Sequence, residues 1–286
     1  MPRVAQTHAP GNSIHWLERE ELLTAGSPDP LRSTDPLPYA RANMKPFLLL
    51  ASRAEDRAAA EEHAEFARFA GLSLDLLHHV RMEAGPLPSI DLDRYSGVFV
   101  GGSPFNSSDP EESKPAVQRR VEAELRVVLD DIVARDFPFL GACYGVGTLG
   151  VHEGAVIDAT YGEPVGAVPI TLTDEGLRDP LLAGIPATFD AFVGHKEACK
   201  SLPTHAALLA SSATCPVQMF RVKQNLYATQ FHPELDVPGI ILRIQTYRHA
   251  GYFPPDDADR VIAGVRDTRV NVPPRILANF VRRYGA

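Results

Sequence analysis

The sequence predicts an α/β fold, with an open, mostly parallel sheet, helices on both faces and a small antiparallel portion. Two features of the chain support this prediction. Between residues 47 and 147, short apolar runs alternate with amphipathic helical segments, an order that requires crossover connections between parallel strands. From about residue 155, short runs with β-branched residues are separated by turn residues, which is typical of antiparallel strands.

The parallel part begins at FLLLA, residues 47–51, a continuous apolar run of the kind found in strands buried on both faces. A helix rich in Ala and Glu follows over residues 55–70 and ends at Gly71. The other predicted elements of this part are two strands, a long amphipathic helix and a third strand, at 72–77, 97–100, 113–135 and 137–140.

The sequence of the second part of the chain predicts short strands followed by helices. The strands are expected at 155–173, 187–193, 206–211, 216–222 and 226–231, and the helices at 237–249, 256–266 and 274–284. We divide the chain into an N-terminal arm rich in Pro, Ser and Asp, a main domain and a C-terminal helical extension, at 1–43, 44–250 and 251–286. Met44 is an alternative start of the chain.

Composition narrows the classes of function. The chain has 286 residues and a net charge of −8, so we expect neither nucleic acid nor a membrane surface as a partner. Its three cysteines form no C-x-x-C pair, which predicts neither a disulfide framework nor a zinc site. We recognise no signal peptide and no membrane span. These observations predict a cytoplasmic protein without a metal or another cofactor.

The stretch FPFLGACYGVG, residues 137–147, predicts a strand, a tight turn and a helix start, with Cys143 at the turn. Gly141 and Gly145 lie two residues on either side of Cys143, which is the spacing of a nucleophile elbow with Cys in place of Ser. Glycines suit this turn because its segments approach closely, and a helix N-terminus favours the thiolate. Taken alone, the stretch also fits a buried structural cysteine in a Gly-rich turn.

A base for such a cysteine is available in LYATQFHPE, residues 226–234. An apolar strand ends at Phe231, and His232 follows at its tip. Glu234 is placed to hold the second imidazole nitrogen, as a carboxylate does in a catalytic triad. A strand-end histidine with an acid nearby is common, but together with the elbow it completes one mechanism.

A second glycine pair follows a predicted strand. Gly101 and Gly102 lie at the end of the strand 97–100, where ligands bind in open α/β sheets. A free backbone N–H at Gly102 and the N–H of Tyr144, directly after the cysteine, would form an oxyanion hole. The alternative is an ordinary Gly-rich turn.

Together, GGSP, GACYG and QFHPE resemble the three motifs of class I glutamine amidotransferases, particularly the glutaminase domain of GMP synthetase. The segment GHKEACKSLP, which contains His195, is similar to a histidine-containing segment of that family. The resemblance covers roughly residues 47–249 and implies the flavodoxin-like open sheet of that family. It also implies that Gly101, Gly147 and His195 line the substrate pocket.

The resemblance implies hydrolysis of glutamine. Cys143 would attack the side-chain amide, and His232 would pass the thiol proton to the leaving ammonia. A γ-glutamyl thioester would form and be hydrolysed, with Glu234 orienting His232 and the N–H groups of Gly102 and Tyr144 stabilising the oxyanion.

This sequence departs from the family at one position. The elbow of the family usually continues as G-x-C-x-G-x-Q, and its glutamine helps to hold the amino-acid end of the substrate, whereas this chain has Gly147 there. A γ-glutamyl conjugate is therefore an alternative substrate to free glutamine. A non-catalytic binding or regulatory protein on the same fold is a third possibility.

The acceptor of the ammonia is also missing from the sequence. The chain contains neither a G-x-x-x-x-G-K-[ST] loop nor S-G-G-x-D-S. The residues after His249 are too few for a synthetase domain. We therefore expect either a separate synthetase chain that accepts ammonia or simple hydrolysis.

Overall fold

The structure, a computed structural model, describes residues 44–285, so the predicted N-terminal arm lies outside the described residues. The strands are β1 (Phe47–Ala51), β2 (Leu77–Arg81), β3 (Gly97–Val100), β4 (Phe139–Ala142), β5 (Val156–Asp158), β6 (Glu163–Leu172), β7 (Thr188–His195), β8 (Ala198–Ser201), β9 (Ala206–Ser211), β10 (Met219–Val222) and β11 (Leu226–Thr229). The α-helices are α1 (Asp56–Ala70), α2 (Ala116–Arg135), α3 (Tyr144–Glu153), α4 (Asp174–Arg178), α5 (Val237–Thr246), α6 (Ala258–Arg266) and α7 (Pro274–Tyr284).

Most of the strands form one large sheet, in the order β2-β1-β3-β4-β11-β10-β9-β6-β7. The first five strands of this order run parallel to one another. The four that follow are antiparallel to their neighbours, and β5 and β8 form a small antiparallel sheet of their own. The antiparallel portion predicted from the sequence therefore continues the parallel sheet instead of standing apart from it.

Helices cover both faces of the parallel strands, as the sequence predicts. Side chains alternate along each strand, so Phe47 and Leu49 of β1 enter one apolar core and Leu48 and Leu50 enter the other. The first core also holds side chains of α1 and α7, and the second holds side chains of α2 and α3. Burial on two sides explains why β1 is an unbroken apolar run.

The strand predicted at residues 72–77 is wrong by several residues. Residues Leu74–Leu76 form a 3₁₀ turn, and the strand that pairs with β1 begins at Leu77 and includes His78 and His79. This strand is at the edge of the sheet and pairs only with β1, so it tolerates polar side chains. An apolar run is therefore a poor guide to its position.

The C-terminal helix α7 belongs to the core of the sheet. Phe280 is fully buried, and its ring centroid lies 5.1 Å from that of Phe99 and 6.0 Å from that of Phe47. The division of the chain into an arm, a main domain and an extension stays a prediction. Among residues 44–285, no helix has the length and apolar character needed to cross a membrane.

We expect Phe280→Ala to lower the free energy of unfolding by about 3–5 kcal/mol, because it removes a fully buried ring and leaves a cavity. Denaturant unfolding of both proteins measures this change. Val127→Ala, at an exposed apolar position of α2, is the control and should change little. A loss below about 1 kcal/mol in Phe280→Ala would show that α7 contributes little to the core.

Candidate active site

The candidate site lies where parallel strands end. Arg53 follows β1, Gly102 follows β3, Cys143 follows β4 and His232 follows β11. Because these strands are parallel neighbours, their carboxyl ends meet at one edge of the sheet. Four segments far apart in sequence thus contribute to one cleft.

The backbone at Cys143 is strained. This residue connects β4 to α3 with φ 53° and ψ −83°, a conformation that L-residues rarely adopt. Its N–H donates to the carbonyl of Thr229 at 2.7 Å, and its own carbonyl accepts from the N–H of Val146 at 2.9 Å. A Cβ atom at Gly141 would lie 2.6 Å from the Cα of Gly145, so only glycine fits there. The predicted elbow therefore exists, and it holds the thiol at the cleft.

His232 and Glu234 form a buried pair beside Cys143. The Nδ1 atom of His232 lies 2.7 Å from Oε1 of Glu234, and Cys143 is near enough for its charge to act on the imidazole. Burial disfavours the charged imidazole, but the charges of Glu234 and Cys143 outweigh it and raise the pKa of His232 to about 10. The structure thus brings together the three side chains that the sequence predicts, with the histidine disposed to hold a proton.

The two glycines after β3 are tightly packed. A Cβ at Gly102 would lie 2.7 Å from Nη2 of Arg53 and 2.9 Å from Cε1 of His232, so glycine lets both side chains approach. Gly101 faces Oε2 of Glu62, 2.8 Å from the position of a Cβ. Tyr144 begins α3, so its N–H lacks an intrahelical partner. The roles predicted for these groups stay predictions.

The cleft has two lobes that share Ser103, Cys143 and Tyr252. The smaller has about 260 Å³ of empty space, and we call it the polar lobe; its other lining residues are Phe105, Asn106, Tyr144, His195, Lys196, Glu197 and Gln230. The larger has about 490 Å³, including its open mouth, and we call it the arginine lobe; its other lining residues are Arg53, Val165, Val193, Gly194, His232, Leu235, Ile240, Arg243, Ile244, Tyr247 and Phe253.

A side chain at Gly147 would collide with residues at the wall of the polar lobe. A Cβ there would lie 2.5 Å from Oγ of Ser107 and 2.7 Å from Oε1 of Glu197. The carboxylate of Glu197 accepts the N–H groups of Ser107 and Ser108 at 2.8 and 2.7 Å, and burial raises its pKa. Glu197, which sequence analysis did not select, thus fills the space beside Gly147.

His195 lines the polar lobe, but both of its ring nitrogens have protein partners. Nε2 lies 2.8 Å from Oε2 of Glu163, and Nδ1 lies 2.9 Å from the carbonyl of Glu197. The ring therefore fixes the segment that carries Glu197. Its predicted role in substrate binding stays a prediction.

Glu163, His195 and Cys215 are the described residues most able to hold a metal ion, since one ligand atom of each lies within 4.8 Å of the others. Their atoms are already engaged, however. The Glu163 carboxylate accepts from His195, Thr214 and Gln218, and burial raises the pKa of the Cys215 thiol to about 12. This group is a hydrogen-bonded network, and it does not support a metal site.

A buried ionic cluster beneath the arginine lobe was not foreseen from the sequence. Nε of Arg53 pairs with Oε1 of Glu62 at 2.8 Å, and Nη2 of Arg243 approaches Glu62 at 3.4 Å and Glu65 at 3.6 Å. Two signals were available. Arg53 lies just past the carboxyl end of a central strand, and Glu62 lies four residues before Phe66, on the apolar face of α1.

A family model for class-I glutamine amidotransferases matches residues 75–237, more than half of the chain. The chain belongs to this family. The resemblance stated from the motifs is therefore confirmed, and so is the predicted fold class. The match includes the elbow, His232 and Glu234.

Three relatives show how far the similarity extends. The chain is 30% identical over 145 residues to GMP synthase of Hamiltonella defensa and 28% identical over 151 residues to a glutamine-hydrolysing GMP synthase subunit of Thermoplasma volcanium. It is 31% identical over 163 residues to the glutamine amidotransferase-like protein YfeJ of Salmonella typhimurium. These matches cover 49%, 52% and 56% of this chain and 25%, 68% and 65% of the respective relatives. The chain thus spans a quarter to two thirds of the length of these relatives.

A solved structure with the same fold is a glutamine amidotransferase of Thermotoga maritima. It superposes with a TM-score of 0.67 over 85% of this chain and 99% of that one. The sequence identity is 18%, so the likeness supports the fold alone.

Glu65 allows a test of the ionic cluster. Burial raises its pKa from 4.5 to about 8, so the folded state binds a proton more tightly than the unfolded state. The contribution of Glu65 to stability is therefore lost as the pH rises from about 4.5 to about 8, by about 1.4 kcal/mol for each unit of pKa shift. Glu65→Gln should remove this loss, so that the variant gains stability relative to the wild type across this interval and then levels off.

Denaturant unfolding at a series of pH values measures the difference between the two curves. Glu112→Gln, at an exposed position, is the control and should run parallel to the wild type. A Glu65→Gln curve that is also parallel would mean that Glu65 is ionised in the folded protein at neutral pH.

Proposed function

We propose that the protein hydrolyses the side-chain amide of a glutamyl substrate, with Cys143 as nucleophile, His232 as proton carrier and Glu234 as the group that orients His232. The observation that carries this proposal is the position of Cys143 on a strained elbow beside His232, whose Nδ1 atom lies 2.7 Å from Glu234. Nucleophile, base and orienting carboxylate in this order are the components of covalent acyl transfer.

The proposed reaction has two steps. The Cys143 sulfur attacks the amide carbon, and the carbon–nitrogen bond breaks as His232 gives its proton to the departing nitrogen. The resulting γ-glutamyl thioester is hydrolysed by water, from which His232 takes a proton, and the glutamyl product and the free thiol are released. The raised pKa of His232 suits the first step, because the ring holds the proton that the leaving group needs.

The oxyanion of each tetrahedral intermediate requires hydrogen-bond donors. We assign this role to the N–H groups of Gly102 and Tyr144. Tyr144 is the first residue of α3, where backbone N–H groups point away from the helix and favour negative charge. Loss of one such donor typically reduces the rate by about 10²–10³-fold.

Free glutamine is the first candidate substrate, because the chain belongs to the glutamine amidotransferase family. A γ-glutamyl conjugate is the second candidate, and the packing around Gly147 favours it. A glutamine at this position, as in the family, would require Ser107 and Glu197 to move, since their side chains already occupy the space. Recognition of the amino-acid end must then use other groups, such as Gly101 or the wall held by His195.

The name of one relative indicates what could consume the released ammonia. One of them is named as one subunit of a glutamine-hydrolysing GMP synthase. If free glutamine is the substrate, we accordingly propose a separate synthetase chain as the partner. If a γ-glutamyl conjugate is the substrate, no such partner is required. A cytoplasmic location also stays a prediction.

We expect Cys143→Ala to abolish amide hydrolysis, with a loss on the order of 10⁴-fold or more in kcat, while the protein remains folded. Release of glutamate from glutamine and from γ-glutamyl peptides measures the activity. Intact-mass analysis after treatment with an electrophilic glutamine analogue should show one adduct on the wild type and none on Cys143→Ala.

Cys199→Ala is the matched control, because Cys199 is a buried free thiol outside both lobes, with a pKa raised by burial to about 11. It should keep the adduct and the activity. Undiminished turnover by a folded Cys143→Ala protein would exclude the mechanism. A wild type without turnover and without an alkylated Cys143 would favour the non-catalytic alternative.

Glu234→Gln should move the alkaline limb of the pH–rate profile to lower pH. The carboxylate raises the pKa of His232, so its removal lets the imidazole lose its proton at lower pH, by about one unit or more. The measurement is kcat/KM against pH. Glu153→Gln is the control, since Glu153 pairs with His152 at 2.8 Å outside both lobes. An unchanged alkaline limb would mean that Glu234 does not set the protonation of His232.

A further inference from the structure

The proposed hydrolysis of free glutamine gives no role to the apolar wall or to the two arginines of the arginine lobe. This lobe meets the polar lobe at Cys143 and is the larger of the two, with about 490 Å³ of empty space against about 260 Å³, each volume including the open mouth. The ammonia released from glutamine needs no lobe of this size. A substrate with a larger group on the amide nitrogen would need one.

The wall of the arginine lobe is apolar. Two strands of the antiparallel half, the segment before α5, α5 itself and the loop after it supply this surface, with Val165, Val193, Leu235, Ile240, Ile244 and Phe253. Tyr252, which borders both lobes, is held in place by Lys196. The ammonium of Lys196 lies 4.6 Å from the ring centroid of Tyr252 and donates to the carbonyl of Ala250 at 2.6 Å. Apolar walls with a few polar groups are typical of small-molecule sites.

At the base of this lobe, Arg243 has unused hydrogen-bond donors. Its side chain is 8% exposed, and among the described residues its Nε and Nη1 atoms have no hydrogen-bond partner, which is also true of Oε2 of Glu62 and both carboxylate oxygens of Glu65 in the same cluster. Buried guanidinium donors are seldom left unpaired, because each lost hydrogen bond to a charged group is costly. Arg243 is therefore equipped to bind an acceptor that enters the lobe.

Arg53 brings a second guanidinium close to the reacting atoms. Its Nε and Nη1 are bound by Glu62 and by the Tyr247 hydroxyl, which in turn donates to the exposed Glu55. Its Nη2 lies beside Gly102 and His232. Both arginines share Glu62, while burial raises the pKa of Glu65 to about 8, so that this carboxyl is largely uncharged at neutral pH. Glu62 is thus the carboxylate that the two arginines share, and Arg243 also feels the charge of Glu234.

We propose that the arginine lobe binds the leaving group of a γ-glutamyl conjugate, and that this leaving group is an apolar α-amino acid whose carboxylate is held by Arg243 and Arg53. This inference rests on the proposed function, because it requires Cys143 to act as the nucleophile. The carbon–nitrogen bond to the amino acid breaks, His232 protonates the departing nitrogen, and the free amino acid leaves before water cleaves the thioester.

The first test varies the substrate and leaves the protein intact. We expect kcat/KM of the wild type for γ-glutamyl-phenylalanine to exceed that for γ-glutamyl-phenylalanine amide by about tenfold or more, because the amide lacks the charge that the arginines bind. Free glutamine should be cleaved less efficiently than the acid form. Equal kcat/KM values for acid and amide would overturn the carboxylate site.

The second test varies the protein. Arg243→Gln should reduce the ratio of kcat/KM for the acid to that for the amide toward one, and Arg243→Lys should restore part of it, because lysine keeps the charge without the fork of donors. Using a ratio of two substrates corrects for any loss of correctly folded protein. A ratio that is unchanged in Arg243→Gln would exclude Arg243 from recognition.

The two proposals fail in different ways. Efficient cleavage of free glutamine with no turnover of either conjugate would overturn the leaving-group site and leave the proposed function in place. Absence of turnover with all three substrates, together with a Cys143 that does not react with the glutamine analogue, would overturn both.

Discussion

The close approach of Gly141 to Gly145 is the constraint on which the rest of the site depends. It lets β4 turn directly into α3 and forces the intervening Cys143 to a φ of 53°. This conformation is sustained because the flanking strands are buried and the N–H of Cys143 is bound by Thr229 of the neighbouring strand β11. The same strand leads to His232, so the pairing of β4 with β11 also sets the distance between Cys143 and His232.

The buried charges connect this edge of the sheet to the core of the fold. Glu62 and Glu65 lie on the inner face of α1, and through Arg53 and Arg243 they join the end of β1 to α5. Glu234, which carries the contact to His232, also feels the charge of Arg243. The charge near the imidazole and the charge in the arginine lobe are therefore coupled, and a ligand carboxylate bound by Arg243 would act on both.

Most of the groups that could be identified from the sequence are those that share a local pattern. The glycines around Cys143 and the H-P-E segment have fixed spacings that report a local geometry, and the apolar runs report strands buried on both faces. Arg243 and Tyr252 have no such spacing, because they reach the cleft only when distant strands and loops are brought to one edge of the sheet. The sequence prediction placed β2 several residues too early for a different reason. An edge strand is paired on one side only and has less need for apolar residues.

The departure from the family pattern at Gly147 and the form of the arginine lobe have one explanation. The chain has no side chain at Gly147, where the motif that it resembles has glutamine, and Glu197 and Ser107 fill the space. In the arginine lobe, the cleft offers an apolar wall and a guanidinium with unused donors. Weaker contacts at one end of a substrate can be offset by stronger contacts at the other, because binding energy from a remote group can position the reacting amide. We infer that recognition in this protein has moved from the glutamyl end of the substrate toward its leaving group.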